Sequence, residues 1–284
     1  MKPYQEMSIE ELTGELAVLE AEYKKVQQIY TDACEYMEAV FSLSKSASVP
    51  GNLYAINQAP NEEIELDPVL YEAFRSMQES GLRALYLAPI YDYYDNLFQC
   101  NADWETESFD PYQNEELASD FAEICRFIND PEAIELELLS SGKAILHVSD
   151  TYLSYAEENG ITTFIDFYWM RNAFILDYLA EALTDEGFHR GFITSPEGFS
   201  VALGDCGEAF ASNIYDLQDK GVYVAAVLEY AGPCSMVAFH DYTTTEVQGD
   251  YFYTLADGTT RTPYIDPSDG FCKAAFHDFL SYGG

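Results

Sequence analysis

Leu12, Leu16, Leu19, Tyr23, Val26, Ile29 and Ala33 stand three or four residues apart along the chain. That spacing lines one face of an α-helix and does not suit a strand, whose side chains alternate every second residue. Ser8 and Glu11 form a capping box just ahead of the run, so the start of the helix is encoded too. The pattern predicts one long amphipathic helix reaching about Phe41. The stretch after it, SLSKSASVPGNLYAINQAPNEEIELD, is polar, and Pro50-Gly51 and Ala59-Pro60-Asn61 break any regular pattern. An exposed loop is expected there, with Asp67 opening a second helix, PVLYEAFRSMQES.

Further helices are expected over Pro89 to Gln99 and Glu115 to Ile128, each with an aromatic core face, separated by a loop, CNADWETESFDPYQ. KAILHVS and TTFIDFYW suit short apolar strands, and a helix from about Asn172 to Leu183 should stop near Gly187. Beyond it GFITSPEGFSVALG, GVYVAAVLEYA, CSMVAFHDY, GDYFYTL and TTRTPYI favour antiparallel strands, several of them by apolar alternation. Asp257-Gly258 is a hairpin turn signal between two such runs. With neither a repeat nor a clear linker, residues 1–284 are expected to form a single α+β domain.

Thirteen Lys and Arg against 50 Asp and Glu leave a net charge of −37, which repels nucleic acid and anionic membranes. Disorder is excluded by the 23 Tyr and 18 Phe that accompany this acidity. The N-terminus has no apolar stretch of signal-peptide length and no run anywhere is long enough to span a membrane, so the chain as given is expected to be cytoplasmic, or to have lost a leader. Cys34, Cys100, Cys125, Cys206, Cys234 and Cys272 include no close pair and are expected to be buried thiols.

Five segments in order carry a resemblance to a known family. SLSKSASVPGNLYAINQ with the helix after it resembles a serine-rich loop ending in Asn. DPEAIELELLSSGKAILHVS precedes IDFYWMRNAFILD, which stands without gaps against the pattern IDxGxxAKGYAxD. GFITSPEGFSVALG takes the place of a strand, Gly-Gly turn and strand, and VQGDYFYTLADGTTRTPYIDPSDG that of an SGxY hairpin followed by HIIDPxTG. In this order the segments resemble the ApbE-like family, the FAD:protein FMN transferases, from about residue 8 to 270. The resemblance implies a T-fold-like α+β architecture of antiparallel sheets with packed helices. It also implies an activity: Mg2+-assisted cleavage of FAD and attachment of FMN to a Thr or Ser of an acceptor flavoprotein.

That chemistry needs a metal to neutralise phosphate charge, a base to activate the hydroxyl, and close backbone approach to the dinucleotide. Tyr168 and Ala173 occupy the two glycine positions of the family's GxxAKG segment, and Asn172 replaces its Lys. Ser195-Pro196-Glu197-Gly198 replaces the Gly-Gly turn and brings a negative charge to a phosphate cradle. Pro263 stands where the family carries the His implied as base, and Pro holds no proton. The family's Asp-x-x-x-Thr metal motif lies beyond the point where this chain ends, so Mg2+ is not expected to bind. Asp166 matches the family's FAD-contacting Asp and equally suits a cap for the next helix; with Asn172 and Ile265 it would line what remains of an FAD site that is weak or lost. Asp266-Pro267-Ser268-Asp269-Gly270 is turn chemistry first.

Outside these segments, His147, His189 and His240 are read as structural, and the adjacent His277 and Asp278 as pointing apart. Ser149-Asp150 and Ser195 have no base nearby in sequence. Asp92, Asp95, Asn101, Asp103, Glu105 and Glu107 around Trp104 lack calcium-loop spacing and read as a solvated acidic loop. Tyr86, Tyr91, Tyr93 and Tyr94 suit a core face more than a ring-binding platform. Two functions follow: a divergent, catalytically impaired flavin transferase, or a non-catalytic scaffold that binds flavin or a protein such as an active paralogue.

Overall fold

A computed structural model describes residues 7–81, 83–98, 106–204, 210–218, 221–243, 252–273 and 277–283. Helix α1 (Ile9–Val40) is closed at its start by the expected box: Glu11 N–H donates to Ser8 Oγ at 3.2 Å and Ser8 N–H to the Glu11 carboxylate at 2.8 Å. Only its last turns, with Ala33, Met37 and Val40, are buried.

The polar stretch after α1 is not the exposed loop its composition predicts. It contains helix α2 (Leu53–Asn57) and strand β1 (Glu63–Glu65), and Leu53 and Ile56 are fully buried. Asn52 caps α2, while buried Asn57 reaches across the fold. Its Oδ1 accepts from Phe164 and Ile165 N–H at 2.8 and 3.1 Å, and its amide donates to Leu53 and Ile165 carbonyls at 2.9 Å. One side chain thus satisfies backbone that a strand would have paired, and TTFIDFYW forms no strand in consequence. Gly51 is required where α2 approaches β1, since φ is +68° and a Cβ there would lie 2.3 Å from the Glu65 carbonyl.

Asp67 caps α3 (Pro68–Glu79) and accepts the Tyr36 hydroxyl. Then follow α4 (Ala88–Tyr94), shorter than expected and continued by a 3-10 turn, and α5 (Glu115–Ile128), which runs as expected. Strands β2 (Ile134–Leu139) and β3 (Lys143–Val148) join β1 in an antiparallel sheet of order β1-β3-β2. Ser149 caps α6 (Asp150–Asn159), giving Ser149-Asp150 a structural role, and α7 (Arg171–Asp185) packs beside α1. These elements share one core, in which Phe127 stacks on Tyr152 at 4.5 Å and Phe41 meets Phe167 edge-on at 4.8 Å.

The rest is sheet. Strands β4 (Gly191–Thr194), β5 (Phe199–Leu203), β8 (Cys234–His240) and β13 (Asp278–Gly283) form an antiparallel sheet of order β13-β8-β5-β4. Between β5 and β8 runs a two-stranded ribbon, β6 (Phe210–Gln218) and β7 (Gly221–Tyr230). Strand β9 (Tyr253–Thr254) pairs with β10 (Thr260–Arg261) across the expected Asp257-Gly258 turn, and β11 (Ile265–Asp266) with β12 (Phe271–Cys272). Arg261 ties this half to the helices: its Nε donates to Asp110 Oδ1 at 3.1 Å, and Asp110 is fully buried.

Among the described cysteines Cys125 and Cys272 are buried as expected; Cys34 and Cys234 are only half-buried, because each lies on an element with one open side. Cys100, Asn101, Asp103, Trp104, Glu105 and Cys206 lie outside the described residues, as does the side chain of Glu107. No described helix is long and apolar enough to cross a membrane.

Candidate functional site

The segments IDFYWMRNAFILD and TTRTPYIDPSDG, about 90 residues apart, meet at α4. Burial holds the Tyr91 phenol far above its ordinary pKa, so it stays protonated and remains a donor. Its hydroxyl donates to the Pro263 carbonyl at 3.1 Å and accepts from Trp169 Nε1 at 3.2 Å, bridging the two segments. One turn on, Tyr94 adds a tie to the later segment alone, donating to the Thr262 carbonyl at 2.9 Å.

Tyr168 begins the 3-10 turn (Tyr168–Met170) that leads into α7, with φ at +46°, in the left-handed region that favours glycine. Its ring stacks on Tyr91 with centroids 4.2 Å apart, and its hydroxyl donates to Asp95. Trp169 meets Tyr264 edge-on at 4.9 Å and Phe239 edge-on at 5.5 Å, while Phe239 and Tyr264 stack at 4.5 Å. A cavity of about 400 Å³ opens beside this cluster, reaching Thr262, Lys273, Asp241 and His277.

His277 and Asp241 are set opposite one another by register. Asp278 pairs with His240 in the β13–β8 ladder, so the residues just outside that rung face each other. His277 Nδ1 lies 3.0 Å from both Asp241 oxygens, and this hydrogen bond and charge raise the imidazole pKa. Asp278 instead accepts from Tyr242, so the adjacent pair does point apart. His147 meets Glu137 at 2.8 Å, which satisfies it on the surface.

A second cavity, about 470 Å³, lies across Phe239 and Phe279 against the β4–β5 turn. Ser195 and Gly198 shape that turn, and a Cβ on Gly198 would come within 2.0 Å of the Ala238 carbonyl. Ser195 Oγ and Glu197 Oε2 are buried there without a hydrogen-bond partner.

Asp166 stands just ahead of the Tyr168 turn and caps no helix. Burial pushes its carboxyl up to about 6, against the opposing charge of Arg171. Burial and the charge of Asp166 together push Asp92 up to about 6 as well. Asp92 and Asp95 lie on α4 and the turn after it and not in a loop, Asp92 with its surface still exposed and Asp95 half-buried. Asn172 is half-buried in the first turn of α7, and Ile265 is buried in the core opposite Cys272. Tyr86, Tyr91 and Tyr94 are buried as a core face requires, whereas Tyr93 is exposed. Asp266 to Gly270 form the β11–β12 turn, in which Lys273 pairs with Asp266 and Asp269 at 2.9 and 2.7 Å. Among the described residues no three His, Cys, Asp or Glu side chains converge to hold a metal ion.

No family model and no curated protein sequence matches the chain. Among solved structures it is similar to the ApbE protein from Thermotoga maritima, with a TM-score of 0.61 and 14% identity over 90% of this chain and 73% of that one. At that identity the likeness speaks for architecture: the chain has an ApbE-like fold.

Proposed function

We propose that the chain is a non-catalytic relative of the FAD:protein FMN transferases, a scaffold whose flavin pocket is filled by its own aromatic side chains. The observation that carries this is Tyr168. Its backbone holds a conformation suited to glycine, at a position where the resemblance calls for glycine, while its ring occupies the adjacent space on Tyr91. A dinucleotide needs that backbone bare, so FAD does not fit the residues present. Pro263, engaged through its carbonyl by Tyr91, supplies no base, and Asn172 supplies no cation.

A second reading, a flavin-binding protein without transferase activity, is favoured by the cavity beside Trp169 and Tyr264 and by the half-buried Asp166. FAD titrated with and without Mg2+, followed by flavin fluorescence and a search for covalent FMN on a Thr-containing acceptor, separates the readings. The expected result is no binding at millimolar FAD and no transfer. Binding without transfer supports the second reading, and micromolar binding with transfer overturns both.

A further inference from the structure

Helix α1 carries a stricter pattern than amphipathicity requires. Val26, Tyr30, Ala33, Met37 and Val40 step alternately by four and three residues, and so, upstream, do Ile9, Leu12, Leu16, Leu19 and Tyr23. An unbroken alternation of three and four is the 3.5-residue repeat of a coiled-coil seam, narrower than the face of a helix lying on a globular core.

The two halves of this seam meet different fates. In the downstream half Ala33 is 4% exposed, Met37 and Val40 are fully buried, and Val26 packs on the cluster around Leu179 and Leu183; Tyr30 is the exception, 55% exposed, with its neighbour Ile29 packed on that cluster in its place. Lys25 marks the edge of the body, its Nζ 2.7 Å from the Glu186 carboxylate. Before it, Ile9 is 84% exposed, Leu16 57% and Tyr23 68%. About two heptads of seam thus continue a packed interface into solvent, an exposure that marks an interaction surface.

The flanks of the seam state the chemistry of what covers it. With Ile9, Leu16 and Tyr23 at the first core position of each heptad and Leu12 and Leu19 at the second, the flanking positions are Thr13, Glu15, Glu20 and Glu22. They carry acid and no base. A second copy in parallel register would set Glu15 against Glu20, and an antiparallel one would bring glutamates of the same flank together, with the −37 charge of each chain adding to the repulsion. We infer that the exposed half of α1 is a docking seam for a different protein, through an amphipathic helix with apolar core positions flanked by Lys or Arg. Because α1 is already ordered by its anchored half, the ordering cost falls on the partner helix alone. The inference holds whether or not the aromatic pocket takes flavin.

The test uses the full chain and a fluorescent three-heptad peptide with Leu and Ile at its core positions and Lys at its flanks, read by anisotropy. Binding is expected to weaken at least about tenfold in a Leu16→Gln, Leu19→Gln variant and to weaken as salt rises. A control peptide keeps the lysines but carries Gln in its core positions, and it should bind at least about tenfold less well. Equal binding of both peptides would reduce the effect to attraction by an acidic surface and overturn the inference. So would absence of binding, or a dimer of the chain in sedimentation that the same variant dissolves. The substitutions lie at exposed positions, so thermal unfolding should be unchanged; a clear fall would mean that the chain itself covers the seam.

Discussion

Helices α3, α4 and α5 hide Phe74, Ile90 and Phe121 completely, whereas strands β6, β7, β8 and β13 contribute no fully buried side chain among the described residues. The helical half is held by apolar burial. The sheet half buries fewer side chains, such as Ala202, Leu203 and Ile265, and leans more on its ladders and a few long polar reaches, Arg261 to Asp110 and the two tyrosines of α4 to Thr262 and Pro263. Both cavities are lined mostly from the sheet half.

The largest effect that would sharpen this contrast is in the helical core. Phe74→Ala should cost about 3–5 kcal/mol in urea unfolding, and a loss near zero would break the comparison. Arg261→Met should come next. It strands the fully buried Asp110 carboxylate without its partner, which costs about 3 kcal/mol, and near-UV circular dichroism should report loosened aromatic packing around Tyr94.

A smaller effect is pH-dependent. The Asp166 carboxyl titrates near 6 in the folded chain and near about 3.9 when unfolded. The native state therefore holds its proton more tightly, and the associated stability is fully present below about pH 4 and lost as pH rises through 6. Asp166→Asn should raise the melting temperature by about 2 °C or more at pH 7.5 and leave it unchanged at pH 4. An equal shift at both values would locate the effect elsewhere. Smallest of all, Val227→Thr on the open face of β7 should stay within about 0.5 kcal/mol of the parent; a larger cost would mean the ribbon is covered.

What the chain's order of residues makes legible is what depends on near neighbours. α1 and α5 follow from periodicity and a cap within a few positions, and the Asp257-Gly258 hairpin from two turn residues. Asn57 defeats such reasoning, because its partners lie 107 and 108 residues away and nothing local distinguishes it from a loop asparagine. The same limit hides Asp241 and His277, whose pairing exists only once β13 is laid beside β8 in one register. In the candidate site, a tyrosine at position 168, where the resemblance calls for glycine, is visible in the residues, but its partners Tyr91 and Asp95 are brought in by α4 and the turn after it. The surplus regularity of the upstream half of α1 is plain in the sequence, and its exposure is not.

Tyr168 also bears on what one exchange would do to the site. Its turn holds a backbone that suits glycine while carrying a tyrosine's ring stacked on Tyr91. Tyr168→Gly would therefore take away the ring without asking the main chain of the turn to move, so the space beside Tyr91 can be opened with the scaffold left in place.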